Sequence, residues 1–182
     1  VADFAAVGVN AVFAAGDHTG WSVILAGGLY AIQIFFDFSG YTDIARGSAA
    51  LFGIRLTENF DSPYSAVSVR DFWRRWHISL STWLRNYIYI PLGGSRVGTV
   101  RRYLNILITF LVSGIWHGAS WTFVFWGALH GLYQMVEIAL DPVGKNLRRS
   151  MKIPEDSPLY RIPARIWTFV RVAVAFLFFR AE

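Results

Sequence analysis

Cysteine is absent from the 182 residues, and methionine occurs only twice. Without cysteine there is no disulfide, no thiolate nucleophile and no Cys-ligated metal. Charged residues are also sparse, at 16% against 54% hydrophobic ones. With a mean hydropathy of +0.39, the chain is more apolar than a soluble domain of this length needs to be to fill a core. Several catalytic signatures are missing as well. No Gly-x-Ser-x-Gly elbow anchors a serine hydrolase, and no histidine is followed four residues later by aspartate. No His-Glu-x-x-His is present, the histidines lack close metal-ligand spacing, and no metal is expected. Residues 93–98, Gly-Gly-Ser-Arg-Val-Gly, lack the Gly-Lys-Ser/Thr ending of a phosphate loop and read as a turn.

What the sequence does contain is aromatic. Eight Trp, eight Tyr and fifteen Phe suit a membrane protein, because Trp and Tyr collect where an amphipathic ring can keep one edge wet. The formal charge of +5 comes from basic clusters lying between apolar segments. That placement fits loops under the positive-inside rule and not a nucleic-acid surface. The chain opens on Val1-Ala2-Asp3, without Met or a charged leader, and closes directly after an apolar segment. It reads as an internal piece of a longer protein, with N-terminal helices and a C-terminal tail lying outside it.

Periodicity and length organise the rest. Residues 21–38 form a spanning segment of about eighteen residues, near the minimum for a bilayer, and residues 1–15 form a helix end or interfacial segment. Residues 37–63 mix Gly, Asp, Ser and Arg with aromatics, which cannot cross lipid unsupported. They predict a short helix around 43–52 and then a loop. Over 69–89, Phe72, Trp76, Leu80, Trp83 and Tyr87 share a stripe, with Arg70, Arg74, Ser81 and Arg85 largely elsewhere. This predicts one amphipathic helix lying in an interface, ended by Pro91 and Gly93-Gly94. Two apolar segments, 103–116 and 121–139, form a hairpin with Arg96, Arg101 and Arg102 before it and Lys145, Arg148, Arg149 and Lys152 after it. Both clusters fall on one side, which the positive-inside rule makes cytoplasmic. Fourteen residues give the first arm roughly 21 Å, short of the roughly 30 Å hydrocarbon core, so the turn is expected below the membrane surface. A polar loop over 145–163 and an apolar segment over 166–179, broken by Arg171, complete an all-α, multi-pass transmembrane bundle with re-entrant or interfacial helices.

Four histidines could carry chemistry. His18 sits in a loop composition. His130 lies inside a spanning segment, where an ionisable group either lines a cavity or bonds a neighbouring helix. His77 follows Arg74-Arg75-Trp76 on the amphipathic stretch. His117 is the sharpest case: it occupies the hairpin apex between small residues and the indoles of Trp116 and Trp121. An apolar site of this kind keeps an imidazole neutral and able to accept a proton. Asp37, Asp43, Asp61 and Asp71 have irregular spacings and suit caps and pairs with arginine.

The motifs DFWRRWHISLSTWLRNYIYIPLGG (71–94) and GIWHGASW (114–121) closely resemble membrane-bound O-acyltransferases, in particular the alginate O-acetylation membrane proteins. FFDFSGYTDIARG (35–47) and LTENFDSPY (56–64) resemble the same group in the same order. The resemblance implies that residues 1–182 are part of a single membrane domain, a ring of helices around a tunnel. It implies that His117 is catalytic, with His77 in support, and that Trp116, Trp121, Trp76 and His130 shape the tunnel. It also implies an enzyme of the bacterial cytoplasmic membrane with no bound cofactor. Such an enzyme moves acetyl from a cytoplasmic thioester, acetyl-CoA or another, to a polysaccharide hydroxyl or a periplasmic or extracellular relay protein. D-alanyl transfer toward teichoic acid and O-acetylation of peptidoglycan or another wall polymer are the enzymatic alternatives. A transporter or scaffold with His117 and His130 lining a pathway is the alternative from another class.

Overall fold

The computed structural model describes residues 1–14 and 20–180; His18 lies outside the described residues. Seven α-helices run through these: α1 (Ala2–Ala14), α2 (Gly20–Leu51), α3 (Val69–Arg75), α4 (Ile78–Leu84), α5 (Thr99–His117), α6 (Trp121–Ser150) and α7 (Pro158–Arg180). A single 3₁₀ turn covers Pro63–Ser65, and a π-helical turn at Arg85–Tyr89 follows α4 directly. The one β-contact among the described residues is the isolated bridge between Phe60 and Trp76. The fold is all-α, and α2, α6 and α7 are each long and apolar enough to cross a membrane.

Several boundaries differ from the sequence expectation. The first segment does not stop at Phe38. It continues as one 32-residue helix through Leu51, so the polar residues 39–48 are helical. Ser39 and Thr42 reuse helix carbonyls as acceptors, bonding Phe36 O and Ser39 O, and the backbone never has to leave the helix. The polar loop expected over 145–163 shrinks to residues 151–157, because α6 runs through Pro142 to Ser150 and α7 starts at Pro158. Lys145–Asp141 and Arg148–Glu155 ion pairs support that extension. The arm that ends on His117 has 19 residues, or roughly 28 Å, because residues 99–102, with Arg101 and Arg102 among them, join the helix. Helix length therefore no longer argues that His117 is sunk below the surface.

The largest difference is at 69–89, where one helix was expected. Trp76 is extended (φ −108°, ψ 129°) and His77 is left-handed (φ 44°, ψ 55°), so the chain turns between α3 and α4. Residues 59–61 hold that turn. Asp61 N donates to Arg75 O at 3.0 Å and Ile78 N donates to Asn59 O at 3.1 Å. The Asn59 side chain accepts from Ser79 N and Ser79 Oγ. The break resets the helical phase. Phe72, Trp76 and Leu80 are buried, whereas Trp83 and Tyr87 of the expected stripe are exposed.

Helices α5 and α6 form an antiparallel pair with unusually close backbones. A Cβ on Gly114 would stand 2.3 Å from Phe123 O, and one on Gly127 would stand 2.3 Å from Phe110 O. Small residues at such a crossing let main chains approach where lipid offers no hydrophobic drive for association. Helix α7 closes the core against α2 and α6. Val172 and Phe176 are fully buried with Ala31, Phe72, Trp73, Trp76 and Trp126. Glu137 on α6 ties three elements together. It pairs with Arg171 of α7 at 2.8 Å and accepts the amides of Val69 and Arg70 at the start of α3.

Gly127→Ala is expected to separate α5 from α6 and to lower the thermal unfolding temperature of the full-length protein in detergent by several degrees. Gly28→Ala is the matched control, since nothing lies within 4 Å of its Cβ position. It should leave that temperature unchanged or raise it slightly, as Ala is about 1 kcal/mol better than Gly within a helix. Equal effects of the two substitutions would remove the close crossing from the account.

Candidate active site

His117 is the last residue of α5, and the chain turns at Gly118, where a Cβ would meet the Phe123 ring at 2.6 Å. The next helix starts at once: Ser120 caps α6 by accepting from Thr122 N. This tight turn presses the imidazole into a ring of aromatics. Its centroid is 4.9 Å from Trp116, 5.1 Å from Trp126 and 5.1 Å from Phe179, each nearly edge-on.

His77 reaches the same place from the α3–α4 turn. Its ring packs edge-on against Phe38 of α2 at 4.7 Å and lies 6.0 Å from the Trp116 indole. Trp116 thus contacts both imidazoles, and the two histidines are within electrostatic reach of each other. Three distant stretches, α2, the 76–77 turn and the end of α5, converge here. Burial pushes the His77 imidazole, which lies outside the three spanning helices, down to about 4. It is therefore neutral at neutral pH, available as a donor at one nitrogen and an acceptor at the other. Both histidines are half-buried, and Trp116 is 57% exposed. The pair therefore faces an accessible side of this chain.

The remaining sequence-predicted residues occupy other positions. Trp76, adjacent to His77, points the opposite way: it is buried, stacked on Phe72 at 5.4 Å and set against Phe60 and Phe176. It supports the turn from below. Trp121 is 74% exposed, and its ring neighbour is Phe125. His130 is fully buried one layer behind Trp126, its Nδ1 accepting from Trp73 Nε1 at 3.2 Å. The bond to a neighbouring helix, one of the two readings of His130, is thus present, from Trp73 of α3. Asp43, Asp61 and Asp71 pair with Arg46 and Arg75, the structural role expected of them.

Sequence reading missed Phe38, Trp126 and Phe179 as partners of the imidazoles. One signal was available for Trp126. Phe123, Trp126, Gly127 and His130 recur at three- and four-residue spacing, which marks the face of α6 turned to its partner arm. Phe38 and Phe179 come from α2 and α7, and no local pattern announces such contacts.

Among the described residues, three membrane-length apolar helices mark a membrane protein, and two imidazoles meet on one indole at the turn that ends α5. The chain belongs to the membrane-bound O-acyltransferase family, whose sequence pattern matches residues 11–154. It is 44% identical over its whole length to a probable alginate O-acetylase of Azotobacter vinelandii, covering 34% of that protein. It is 45% identical over 84% of its length to a peptidoglycan O-acetyltransferase of Helicobacter pylori, covering 28% of it. A teichoic acid D-alanyltransferase of Streptococcus thermophilus is 31% identical over 83% of the chain, with 39% of that protein covered. The chain thus spans about a third of the length of the curated relatives it matches.

The left-handed backbone at His77 separates two contributions of that residue. A non-glycine residue there costs roughly 1 kcal/mol that glycine does not incur. His77→Gly should therefore be more thermally stable than His77→Ala, by about 1 kcal/mol in detergent melts, although both remove the imidazole. Equal stability of the two would mean that the turn carries no strain.

Proposed function

We propose that the protein is an O-acetyltransferase of the bacterial cytoplasmic membrane that carries acetyl from a cytoplasmic thioester to a hydroxyl acceptor. His117 is the general base. The observation that supports this reading most directly is the convergence of His117 and His77 on Trp116 at an accessible helical turn.

The chemistry follows from the imidazole. As the acceptor oxygen attacks the thioester carbonyl, His117 takes the hydroxyl proton. The tetrahedral intermediate then collapses, the C–S bond breaks, and the imidazolium returns the proton to the departing sulfur. An ester and a free thiol leave, with no net change in the enzyme. A positioned base of this type supplies roughly 10²–10⁴-fold, and apolar rings that exclude water strengthen the electrostatics within the site. His77, neutral and on the same indole, is a positioning residue that fixes Trp116 and the space beside it.

The polysaccharide reading of the acceptor draws on the alginate O-acetylase relative, which the chain matches end to end. The peptidoglycan O-acetyltransferase matches as closely over a shorter stretch, so a wall polymer is the second acceptor. The D-alanyl reading has weaker support at 31% identity. Acetyl-CoA is the proposed donor, and an acetyl-relay protein outside the membrane is a further acceptor of the same chemistry.

His117→Ala in the full-length protein, inserted at wild-type level, should reduce polymer acetylation at least a hundredfold, read as ester content of the polymer. Acetylation at the wild-type rate in that variant would eliminate His117 as the base. His77→Ala should leave a partial rate, with the larger loss in kcat.

A further inference from the structure

His130 is an imidazole where packing alone asks only for a ring. It is fully buried on α6, and a phenyl group would fill the same space. Its Nδ1 accepts from Trp73 Nε1 of α3 at 3.2 Å. A ring nitrogen that accepts carries no proton, so the proton of this imidazole is on Nε2. That donor is buried and meets no hydrogen-bond partner among the described residues. Phenylalanine would avoid the cost of the unmatched donor, but it would leave the Trp73 indole without its acceptor. What the histidine adds is therefore a fixed orientation relative to Trp73.

That orientation is passed on by ring contact. Trp73, His130 and Trp126 form a closed triangle of T-shaped pairs, with centroids 5.1, 5.0 and 5.7 Å apart. The hydrogen bond lies on the Trp73–His130 side. Trp126 Nε1 is itself buried without a partner, so rings alone orient this indole. The His117 imidazole meets the same indole edge-on at 5.1 Å, and its other ring neighbours include Trp116, Phe123 and Phe179. A base held by ring contacts is only as well placed as the rings behind it. An ångström of misplacement costs up to about a hundredfold in rate.

We propose that His130 is a positioning residue for the base: pinned by Trp73, it fixes the Trp126 indole, and through that indole the His117 imidazole. It is fully buried and acts without touching substrate. The assignment rests on the acyltransfer reading above, in which His117 takes the acceptor proton.

The full-length protein in nanodiscs is assayed for acetyl transfer from acetyl-CoA and, separately, by ¹⁵N-histidine NMR, which needs no turnover. The His117 signals are assigned by their loss in His117→Ala. His130→Phe keeps a ring and removes the acceptor. It should lower kcat about tenfold, leave KM for acetyl-CoA unchanged, and broaden or double His117 signals that are single in the wild type. Trp73→Phe removes the donor of the same bond and should act alike; it carries the test alone if His130→Phe does not insert. The double substitution should lose no more than the larger single loss, because both act through one contact. Val9→Ala, fully buried on α1 and away from these rings, should lower the melting temperature and leave kcat and the His117 signals as in wild type. Unchanged kcat or unchanged His117 signals in the single variants overturns the proposal. So does a loss carried by KM, losses that multiply in the double variant, or a loss of rate that Val9→Ala reproduces. Wild-type transfer by His117→Ala would sink the acyltransfer reading of His117, and the NMR arm would still decide whether His130 orders that ring. Transfer that needs His117 and is indifferent to His130 would sink the positioning alone.

Discussion

The close crossing of α5 and α6 sets the position of nearly everything else. Gly114 and Gly127 let each helix rest on the other's carbonyls, and the turn between them is then too tight to place His117 anywhere but against Trp116 and Trp126. In lipid there is little hydrophobic gain from bringing two helices together, so backbone proximity and ring packing must hold the pair. The Trp126 and His130 rings fill the next layer and give α7 a surface to close on. A methyl group at either glycine would push the two arms apart and carry His117 with them.

A second constraint comes from outside the hairpin. His77 belongs to a segment that carries no spanning helix, yet it is fixed by α2 through Phe38 and by the 59–61 stretch through main-chain bonds. Glu137 fixes the start of α3 from the α6 side and pairs with Arg171 of α7. One imidazole is therefore placed by helix–helix packing and the other by a hydrogen-bonded turn. The two imidazoles that meet on Trp116 thus rest on independent supports.

Much of this was legible in the residues. Apolar runs and basic clusters marked the hairpin, and His117 at its apex stood out because small residues and indoles surround it. The arginine–aspartate pairs were the expected role of carboxylates with arginines nearby. Other features were not legible for physical reasons. The helical pattern of 69–89 has no breaker, since neither Gly nor Pro occurs in it; the turn at His77 is imposed by bonds from Asn59 and Asp61. The polar residues after Phe38 looked unable to cross lipid and predicted a separate short helix, yet they continue α2, their hydroxyls bonding helix carbonyls and staying in register. Phe38 and Phe179 join the site only through tertiary packing, which no window of sequence reports.

The Phe60–Trp76 bridge has a consequence of a different kind. It is made by peptide groups, so its register depends on chain length and hardly at all on which side chains occupy the stretch leading into it. Substitutions upstream of Asn59 can accumulate while the turn keeps its shape. A residue inserted between the end of α2 and Asn59 would fall in an exposed stretch and bulge out there. One inserted within α3 would rotate Trp76 and His77 by about 100° against the bridge, so drift in length is tolerated before the bridge and not between its two strands of chain.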